Sequence, residues 1–239
     1  MKDAAPTNDA SLTPPPDATA DTRHRLLEAG MHEFAEHGID ASVRQICKRA
    51  EANAAAVNYH FGNKQRFYAE VLVTCHHQAV ARRPMPRLTD DPEHPDVILR
   101  RWIRWFLELL LFEGTGSPLG RLMAREMFAP TNAFDELVKR ALFPLHQELS
   151  GILLALIGPM DPLRLRLCIH SVLGQCLIYK HAEHAMERLG RLAAEIDLSP
   201  PDVQDLADHI ELLAQHIADF SLAGLNGPRS HPPTSGDHS

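Results

Sequence analysis

Apolar residues recur every three or four positions along most of the chain, a spacing that places them on one face of an α-helix. The first such pattern predicts a helix over Thr22–His37 that ends at Gly38, a residue that readily takes the left-handed conformation of a helix cap. A second long helix is predicted to begin near Lys64 and to continue towards Arg82. The hydrophobic pattern therefore predicts an all-α fold class.

Two short helices are predicted between these long ones, within residues 42–64. The side-chain oxygen of Ser42 is placed to cap the first helix by accepting from a free amide of its opening turn, and Asn53 is placed to cap the second, Ala54–Tyr59. The buried face of the first consists of four residues at helical spacing: Val43, Ile46, Cys47 and Ala50. A tight turn separates the pair, which is the arrangement of a helix-turn-helix.

The same stretch holds the concentrated positive charge of an otherwise acidic chain. The 239 residues have a formal net charge of −7, whereas residues 42–66 contain five basic residues and one acidic residue, a local charge of +4. These residues are Arg44, Lys48, Arg49, Lys64 and Arg66 against Glu51. Screening at physiological salt confines charge effects to about 8 Å, so the local charge decides what can bind here. A basic pair of short helices indicates docking on DNA.

Three adjoining stretches resemble a known family. TRHRLLEAGMHEFAEHG (22–38), SVRQICKRAEANAAAVNYHFGNK (42–64) and QRFYAEVL (65–72) closely resemble the DNA-binding domain of TetR-family transcriptional regulators, and NAAAVNYHFGNK is similar to the CecR-like branch of that family. One departure is the turn between the short helices, which usually carries Gly and here carries Glu51 and Ala52. If that turn needs a positive φ, Glu51 is strained by roughly 1 kcal/mol or somewhat more.

The resemblance also implies which residues contact DNA. Arg44 can fork onto guanine, Asn58 can pair with adenine or a phosphate, and Ala54–Ala56 can offer methyl contacts to thymine. The remaining positions match those that meet the phosphate backbone or cap the second helix. The full predicted DNA-binding set is Ser42, Arg44, Asn53, Ala54, Ala55, Ala56, Asn58, Tyr59, His60 and Lys64.

Two members of this set have a structural alternative. Tyr59 could be a core aromatic residue whose hydroxyl is satisfied elsewhere, and Lys64 could be a solvated surface charge. Phe61, which follows them in the motif, is expected in the core.

A proline-rich stretch, RRPMPRLTDDPEHPD, is predicted to separate two domains. The predicted organisation is a disordered arm over residues 1–20, a helix-turn-helix DNA-binding domain over 21–82, a larger helical effector-binding and dimerisation domain over 95–223, and a disordered tail over 224–239. The helices predicted in the larger domain are Val97–Phe112, Leu119–Phe128, Phe134–Ile157 with a kink at Pro144, and a helix from Asp161-Pro162 to about His181.

The last predicted helix has apolar residues that alternate steps of three and four, a heptad seam suited to packing against another helix. These residues are Val203, Leu206, Ile210, Leu213, Ile217 and Phe220. The preceding helix offers a face with small residues in the middle: Leu167, Ser171, Gly174 and Ile178. Two such helices from each of two subunits would form a four-helix homodimer interface, as the resemblance also implies; the alternative is that both faces only complete the core of one chain. A homodimer places two DNA-binding domains about 34 Å apart, on successive major grooves of a palindromic operator.

The resemblance further implies that residues 95–182 enclose a pocket for a small-molecule effector, whose binding releases a repressor from DNA. The candidate lining residues are polar or aromatic positions on otherwise apolar helices: Trp102, Trp105, Arg125, Glu126, His146, Gln175 and Tyr179. For each of them a satisfied buried polar group or a surface position is an open alternative, and Arg125 with Glu126 reads most simply as an ion pair. Three phenylalanines of this region are expected in the core rather than around a ligand: Phe128, Phe134 and Phe143.

Other functional classes have less support in the sequence. A Gly-rich phosphate loop, a nucleophile motif and an HExxH motif are absent, so we expect no enzyme and no cofactor. The runner-up is a metal-responsive DNA-binding regulator that uses C-terminal residues His181, His184, His209 and His216 with Glu183 and Glu187, although they lack a defined ligand spacing and we expect no metal site.

The compartment is predicted from what the chain lacks and from its thiols. No uncharged run is long enough to cross a bilayer, and the N-terminus shows no secretion signal. Four scattered cysteines indicate reduced thiols in a cytoplasm.

Overall fold

The structure, a computed structural model, describes residues 16–112, 116–181, 188 and 210–226. These residues form ten α-helices, so the predicted all-α fold class is confirmed. The N-terminal domain consists of α1 (Pro16–His37), α2 (Val43–Arg49), α3 (Ala54–Phe61) and α4 (Lys64–Arg82). The C-terminal domain contains α5 (Pro95–Phe112), α6 (Pro118–Phe128), α7 (Asn132–Leu137), α8 (Phe143–Ile157), α9 (Pro162–His181) and α10 (Ile210–Asn226). Within the described ranges, no helix is both long and apolar enough to cross a membrane.

The first and last helices extend beyond their predicted ends. α1 begins at Pro16 rather than at Thr22. Proline is favoured in the first helical turn, where its missing N–H costs nothing, and the alanines that follow favour the helix, but this segment lacks apolar residues and so shows no hydrophobic period. α10 runs to Asn226, past the predicted domain end at residue 223. Residues 1–15 of the predicted arm and 227–239 of the predicted tail lie outside the described residues.

α1 and α4 pack closely because Gly30 has no side chain where they meet. A Cβ at Gly30 would lie 2.8 Å from Val71 Cγ2 and 2.9 Å from Phe67 Cζ, which is too close for any other residue without a shift of its neighbours. Phe67 also meets the Phe34 ring edge-on, with 5.3 Å between centroids, and stacks on Phe61 of α3 at 4.4 Å. This aromatic interior fixes which face α3 buries and which face it exposes.

The connection between the two domains is fastened to the C-terminal domain at two points. The indole Nε1–H of Trp105, in α5, donates to the Arg83 carbonyl at 2.7 Å. The Leu88 backbone N–H donates to Glu148 Oε1 of α8 at 2.6 Å. The proline-rich segment is therefore held against α5 and α8.

The helix predicted over Phe134–Ile157 is continuous but not uniformly α-helical. α7 is followed by a π-helical segment, Val138–Leu142, and then by α8. Pro144 has no N–H, so the α-helical donor to the Arg140 carbonyl, four residues earlier, is missing. A π-helical turn accommodates such a defect, and the Arg140 carbonyl lies 3.2 Å from Nε2 of His77 in α4.

α10 lies along α5, held by two ion pairs. Arg100 of α5 is 2.5 Å from Asp219, and Arg104 is 2.5 Å from Glu211. The last helix is thus part of the C-terminal domain's own packing as well as a surface. All four cysteines of the chain are free thiols: Cys47, Cys75, Cys168 and Cys176.

Candidate nucleic-acid interface

The turn between α2 and α3 places Glu51 in the left-handed region, with φ at 50°. Its N–H donates to the Lys48 carbonyl at 3.3 Å, and the Ala52 N–H donates to the Cys47 carbonyl at 2.9 Å. These two bonds form a Schellman cap, in which the residue at the position of Glu51 is usually glycine. The turn therefore has the positive φ under which strain at Glu51 was expected, and Glu51 stores backbone strain at the centre of the motif.

The caps of the motif agree with prediction at Asn53 but not at Ser42. The Asn53 side chain accepts from the Ala55 N–H at 3.0 Å, which confirms that it opens α3. Ser42 has the extended backbone of a cap residue, but its side chain makes no capping hydrogen bond, so that prediction is wrong. The first turn of α2 is closed instead by the backbone bond from Ile46 N–H to the Ser42 carbonyl, at 3.0 Å.

α3 separates a buried face from an exposed one. Val57 and Phe61 are buried, the latter as predicted. The exposed face carries Ala54, Ala55, Asn58 and Tyr59. Tyr59 is 72% exposed, so the alternative that it belongs to the core is wrong. Ala56 lies at the boundary, half-buried and packed against the core, on the same side of α3 as the half-buried His60 one turn later.

His60 sits at the end of α3, half-buried, with its ring edge-on to Tyr59 at 5.0 Å. Burial and then the charge of Arg23 lower the pKa of His60 below its usual 6.5. Its imidazole is therefore neutral at physiological pH, and it can donate a hydrogen bond to a phosphate but not form an ion pair with one.

Fewer basic side chains are free around this face than the count from the sequence suggests. Arg44 and Lys48 are exposed and Lys64 is half-buried, but Arg49 Nε is bonded to Glu33 Oε1 at 3.1 Å. The structure also brings Arg23 of α1 near this face, which sequence reasoning missed, although Arg23 too is paired, with Glu70 of α4. No local pattern could have revealed it, because its partners come from other helices.

Arg23 lies beside the C-terminal end of α3. Its guanidinium carbon is 5.3 Å from the centroid of the Phe61 ring, a cation–π contact. The same guanidinium donates to Glu70 Oε2 of α4 at 3.1 Å. Arg23 therefore touches the end of α3 while it is held by α4.

The predicted dimerisation face is exposed on α9 but only partly on α10. Leu167 and Ile178 are 56% and 47% exposed, and Ser171 and Gly174 are exposed between them. On α10, Ile210 and Ile217 are buried and Leu213 is half-buried, so these three members of the predicted seam complete the core of the chain. Because that face of α10 packs on α5, the two buried isoleucines are not free for a partner, and a place for the half-buried Leu213 in a subunit interface stays a prediction. Val203 and Leu206 lie outside the described residues.

A different face of α10 is exposed and apolar. Leu212 and Phe220 are 63% and 64% exposed, with the exposed His216 one turn from each. Leu163, also 53% exposed, extends the exposed face of α9 by one turn. Leu212 was missed because residues 210, 213 and 217 already satisfied the helical period of α10, and Leu163 because it precedes the predicted face of α9.

The seven residues predicted to line an effector pocket are dispersed. Trp102 and Trp105 are buried, and the Trp102 ring stacks on Phe106 with 5.1 Å between centroids. Gln175 Nε2 donates to Ser221 Oγ at 3.2 Å, which ties α9 to α10. His146 stacks on Phe143 at 6.3 Å, and Tyr179 packs half-buried against the core.

The last two of the seven, Arg125 and Glu126, do not form the predicted ion pair. Neighbouring residues on a helix do not face each other. Arg125 donates to the Glu36 carbonyl at the end of α1, at 2.5 Å. Glu126 is buried and accepts from the Tyr68 hydroxyl at 2.9 Å and from the Thr131 N–H at 2.9 Å. Burial, followed by this bond to Glu126, raises the pKa of Tyr68.

The phenylalanines of this region are less buried than predicted. Phe134 packs half-buried against the core, as expected. Phe128 and Phe143 are 88% and 51% exposed, so their prediction as core residues is wrong. Phe128 is the last residue of α6, and Phe143 lies in the continuous helix that joins α7 to α8, on a side that neighbouring helices do not cover.

A cleft of about 630 Å³ lies between the two domains, bounded by α1, the end of α2, α4 and the start of α6. We call it the interdomain cleft. None of the seven predicted effector residues lines it. Its floor includes the buried residues Met31 and Leu119, and its rim includes Arg25, Arg49 and the exposed His32. Glu51, the strained residue of the turn, also lines this cleft.

Candidate metal ligands are not grouped in the part of the chain that the structure describes, where no cluster of three or more His, Cys, Asp or Glu side chains is found. Four of the six residues that suggested a metal site lie outside that part: Glu183, His184, Glu187 and His209. His216 is exposed on α10, beside Phe220.

Comparison with known proteins gives two family matches that together span both domains. Residues 26–71 match the model described as bacterial regulatory proteins, tetR family, and residues 95–225 match the C-terminal domain of the HTH-type transcriptional dual regulator CecR. The chain is 26% identical over 211 residues to the HTH-type transcriptional dual regulator CecR of Shigella flexneri, covering 84% of this chain and 94% of that protein.

Solved structures share the fold. A transcriptional regulator from Rhodococcus sp. RHA1 is 23% identical, with a TM-score of 0.53, covering 84% of this chain and 96% of that one. A TetR-like transcriptional regulator from the same organism is 19% identical, with a TM-score of 0.51, covering 87% and 97%.

Proposed function

This chain belongs to the CecR-like branch of the TetR family of DNA-binding transcriptional regulators, which are not enzymes, and on that premise we propose that it represses transcription as a homodimer. The homodimer binds a palindromic operator, from which a small-molecule effector releases it. The observation that carries this proposal is the exposed face of α3, with its flanking cations, on a chain whose net charge is −7.

The DNA contacts follow from the two faces of α3. α3 lies in the major groove, with Ala54, Ala55 and Asn58 facing the base edges and Arg44 of α2 reaching a guanine. Two alanine methyl groups provide apolar contact to thymine but no hydrogen bond, so Arg44 and Asn58 supply the specific hydrogen bonds. Tyr59 supports this arrangement, since an aromatic side chain with 72% exposure does not pack in the core of the chain.

Phosphate contacts position the domain on the duplex. Lys64 supplies the charge, the neutral His60 donates a ring N–H, and the uncommitted hydroxyl of Ser42 donates a third hydrogen bond. These contacts carry no sequence information, but they fix the angle at which α3 enters the groove.

A second subunit completes the operator site. We assign the interface to the exposed apolar face formed by Leu163, Leu167 and Ile178 of α9 with Leu212 and Phe220 of α10. Each of these side chains is between 47% and 64% exposed, and exposed large apolar residues that repeat at helical spacing on α9 and on α10 suit an interface between subunits. A twofold axis through this face pairs α9 and α10 with their copies in a four-helix interface.

The effector half of the proposal concerns the interdomain cleft. Its volume of about 630 Å³ suits a small molecule, and its walls come from both domains. An apolar floor at Met31 and Leu119, below a rim whose three arginines outnumber Glu28 and Glu51, suits a small amphipathic anion. Such a ligand releases DNA only if it binds one arrangement of the domains better than the other, by the same free energy that it removes from DNA binding.

The promoter region of the gene that encodes this chain provides the first test. Nuclease footprinting with the purified protein should protect a palindromic segment whose half-site centres are about 10 base pairs, or a multiple of that, apart. Asn58→Ala should abolish the footprint with little change in fold, whereas Gln65→Ala, an exposed change at the start of α4, should leave it intact. A wild-type protein with no preference for any fragment of its genome contradicts the proposal.

The cleft has its own test. His32→Trp fills it from an exposed position on α1, and His24→Trp adds the same bulk on the same helix outside it. With a panel of aliphatic and aromatic carboxylates as probes, a compound that releases wild-type protein from the promoter fragment should release His24→Trp but not His32→Trp. Equal release of both variants places the effector elsewhere.

A further inference from the structure

The π-helical segment Val138–Leu142 makes two contacts with α4 through a single residue. Pro144 leaves the Arg140 carbonyl without its α-helical donor, and Nε2 of His77 lies 3.2 Å from that oxygen. The Arg140 guanidinium donates to Glu70 Oε1, one carboxylate oxygen of the same helix. The helical defect therefore presents both the main chain and the side chain of Arg140 to the N-terminal domain.

Glu70 is shared between two arginines from different domains. Its second oxygen, Oε2, accepts from Arg23 of α1 at 3.1 Å. Hydrogen bonding from Arg140 is the largest influence that lowers the pKa of Glu70, and Glu70 in turn raises the pKa of Arg140. The carboxylate is thus charged throughout the physiological range and holds both guanidinium groups.

The chain of contacts ends on the recognition helix. Arg23 lies 5.3 Å from the centroid of Phe61, the buried residue at the end of α3, and its charge contributes to the lowered pKa of His60 beside it. A continuous path thus runs from the π-helical segment through Glu70 and Arg23 to the end of α3 that meets DNA.

We propose that Arg140 and Glu70 are positioning residues for DNA binding, which set the orientation of α3 through Arg23 and make it dependent on the position of the π-helical segment. This inference rests on the proposed function and adds a route by which the C-terminal domain controls the recognition helix. The two arginines share one carboxylate, so a movement that withdraws Arg140 leaves Glu70 to Arg23 alone. Both ion pairs are part-exposed, with 42%, 26% and 44% side-chain exposure for Arg140, Glu70 and Arg23. Such pairs contribute little to global stability, and this permits an effector to break them.

A double-mutant cycle on DNA affinity tests the proposal. Arg140→Ala should weaken binding to the footprinted promoter fragment by about fivefold or more, the lower end of typical coupling between sites. The same change in a Glu70→Gln background should alter the dissociation constant by less than about twofold, because the link is already broken. Arg140→Lys, which keeps the charge, should recover part of the affinity. Additive effects of Arg140→Ala and Glu70→Gln overturn the proposal.

The matched control is Lys139→Ala, which removes a cation from the same π-helical segment. Among the described residues, Lys139 pairs with Glu136, one turn away at 3.5 Å, and makes no ion pair or hydrogen bond with α4. It should leave affinity unchanged. A loss as large as that of Arg140→Ala shows a general effect of charge and overturns the proposal.

A second measurement needs no DNA. The imidazole resonances of His60, followed by NMR through a pH titration, should give a higher pKa in Arg140→Ala, because Glu70 then neutralises Arg23 more completely. Lys139→Ala should leave that pKa unchanged. An unaltered His60 titration in Arg140→Ala overturns the proposed path. A wild-type protein that ignores promoter DNA contradicts the proposed function instead, so the two failures are distinguishable.

Discussion

Two helix pairs of this molecule, α2 with α3 and α9 with α10, both carry apolar faces. In the first pair the apolar face is buried in the core, whereas in the second pair some apolar residues are buried and others are exposed. In α3, Val57 and Phe61 face the core and the opposite face carries small and polar residues. In α10, one apolar face packs on α5 through Ile210 and Ile217, while a second apolar face at Leu212 and Phe220 is exposed.

This difference teaches that a hydrophobic period identifies a packed face but not what packs on it. In a short helix with one apolar face, that face must be buried, so the opposite face is the exposed one and can be predicted from the hydrophobic period. In a helix with two apolar faces, both faces show the helical spacing, so the spacing does not indicate which one is buried. One face then packs in the core, and the other stays exposed; we propose that a second subunit covers it.

The largest expected effect comes from charging the exposed face of α10. The double change Leu212→Glu and Phe220→Glu should convert the dimer to a monomer and weaken operator binding at least a thousandfold, about 4 kcal/mol, because one half-site is lost. Sedimentation and promoter binding measure the two parts. The control Asn132→Asp adds one charge at an exposed position at the start of α7, away from α9 and α10. A double variant that remains dimeric assigns the interface to another surface.

Lowering the pH should reduce the free energy of unfolding through a buried histidine of the N-terminal domain. His76 of α4 is 5% exposed, and neither ring nitrogen has a hydrogen-bond partner among the described residues. Burial, and then the neighbouring His77, lower its pKa from 6.5 to about 4. The unfolded chain therefore takes up this proton first. The contribution to stability is complete above pH 6.5 and is lost as the pH falls towards 4, with a total of roughly 3 kcal/mol.

Urea unfolding of wild type and His76→Phe across this pH range measures that contribution. The difference in free energy of unfolding between the two proteins should grow as the pH falls below 6.5. His170→Gln, a change at an exposed histidine of α9, should follow wild type. A constant difference between wild type and His76→Phe shows that His76 does not titrate in this way.

A smaller effect tests whether the basic rim meets phosphate. Lys64→Ala should weaken binding to all DNA sequences alike and reduce the slope of log affinity against log salt by roughly one unit. Lys139→Ala removes the same charge from the C-terminal domain and should leave the slope unchanged. If Lys64→Ala also leaves it unchanged, Lys64 is a solvated surface charge.

The smallest expected effect concerns the turn that separates α2 from α3. Glu51→Gly removes the left-handed strain and should raise the free energy of unfolding, by about 1 kcal/mol at most, since the greater freedom of glycine in the unfolded chain offsets part of the gain. Glu51→Ala keeps a Cβ and should give no gain. Thermal unfolding of the two variants separates conformation from charge, and an equal gain in both assigns the effect to the lost carboxylate.

Local chemistry explains why the sequence predicted the N-terminal domain well. The Asn53 cap, the turn at Glu51 and the glycine that ends α1 act through neighbours a few residues away, so their outcome is readable from a short segment. The same is true of Asp161 and Pro162, which open α9 with a bond from the Arg164 N–H to Asp161 Oδ2 at 2.9 Å.

Features that depend on distant partners could not be predicted in this way. Glu126 resembles a ligand-binding carboxylate on an apolar helix, but its partner Tyr68 is 58 positions away. In the sequence, Arg23 cannot be told from any other surface cation, because its partner Glu70 is 47 positions away. The dispersal of the predicted effector residues has the same origin, since no period in the sequence indicates where helices leave a gap.

The buried bond between Tyr68 and Glu126 has a consequence for engineering. Tyr68 belongs to the N-terminal domain and Glu126 to the C-terminal domain, and the carboxylate has no cation to balance it within the described residues. A chimera that grafts the DNA-binding module of a relative onto this C-terminal domain leaves Glu126 short of a donor unless the transplanted α4 brings a hydroxyl to the same place. Donor modules for new operator specificities should therefore be chosen first for a tyrosine equivalent to Tyr68.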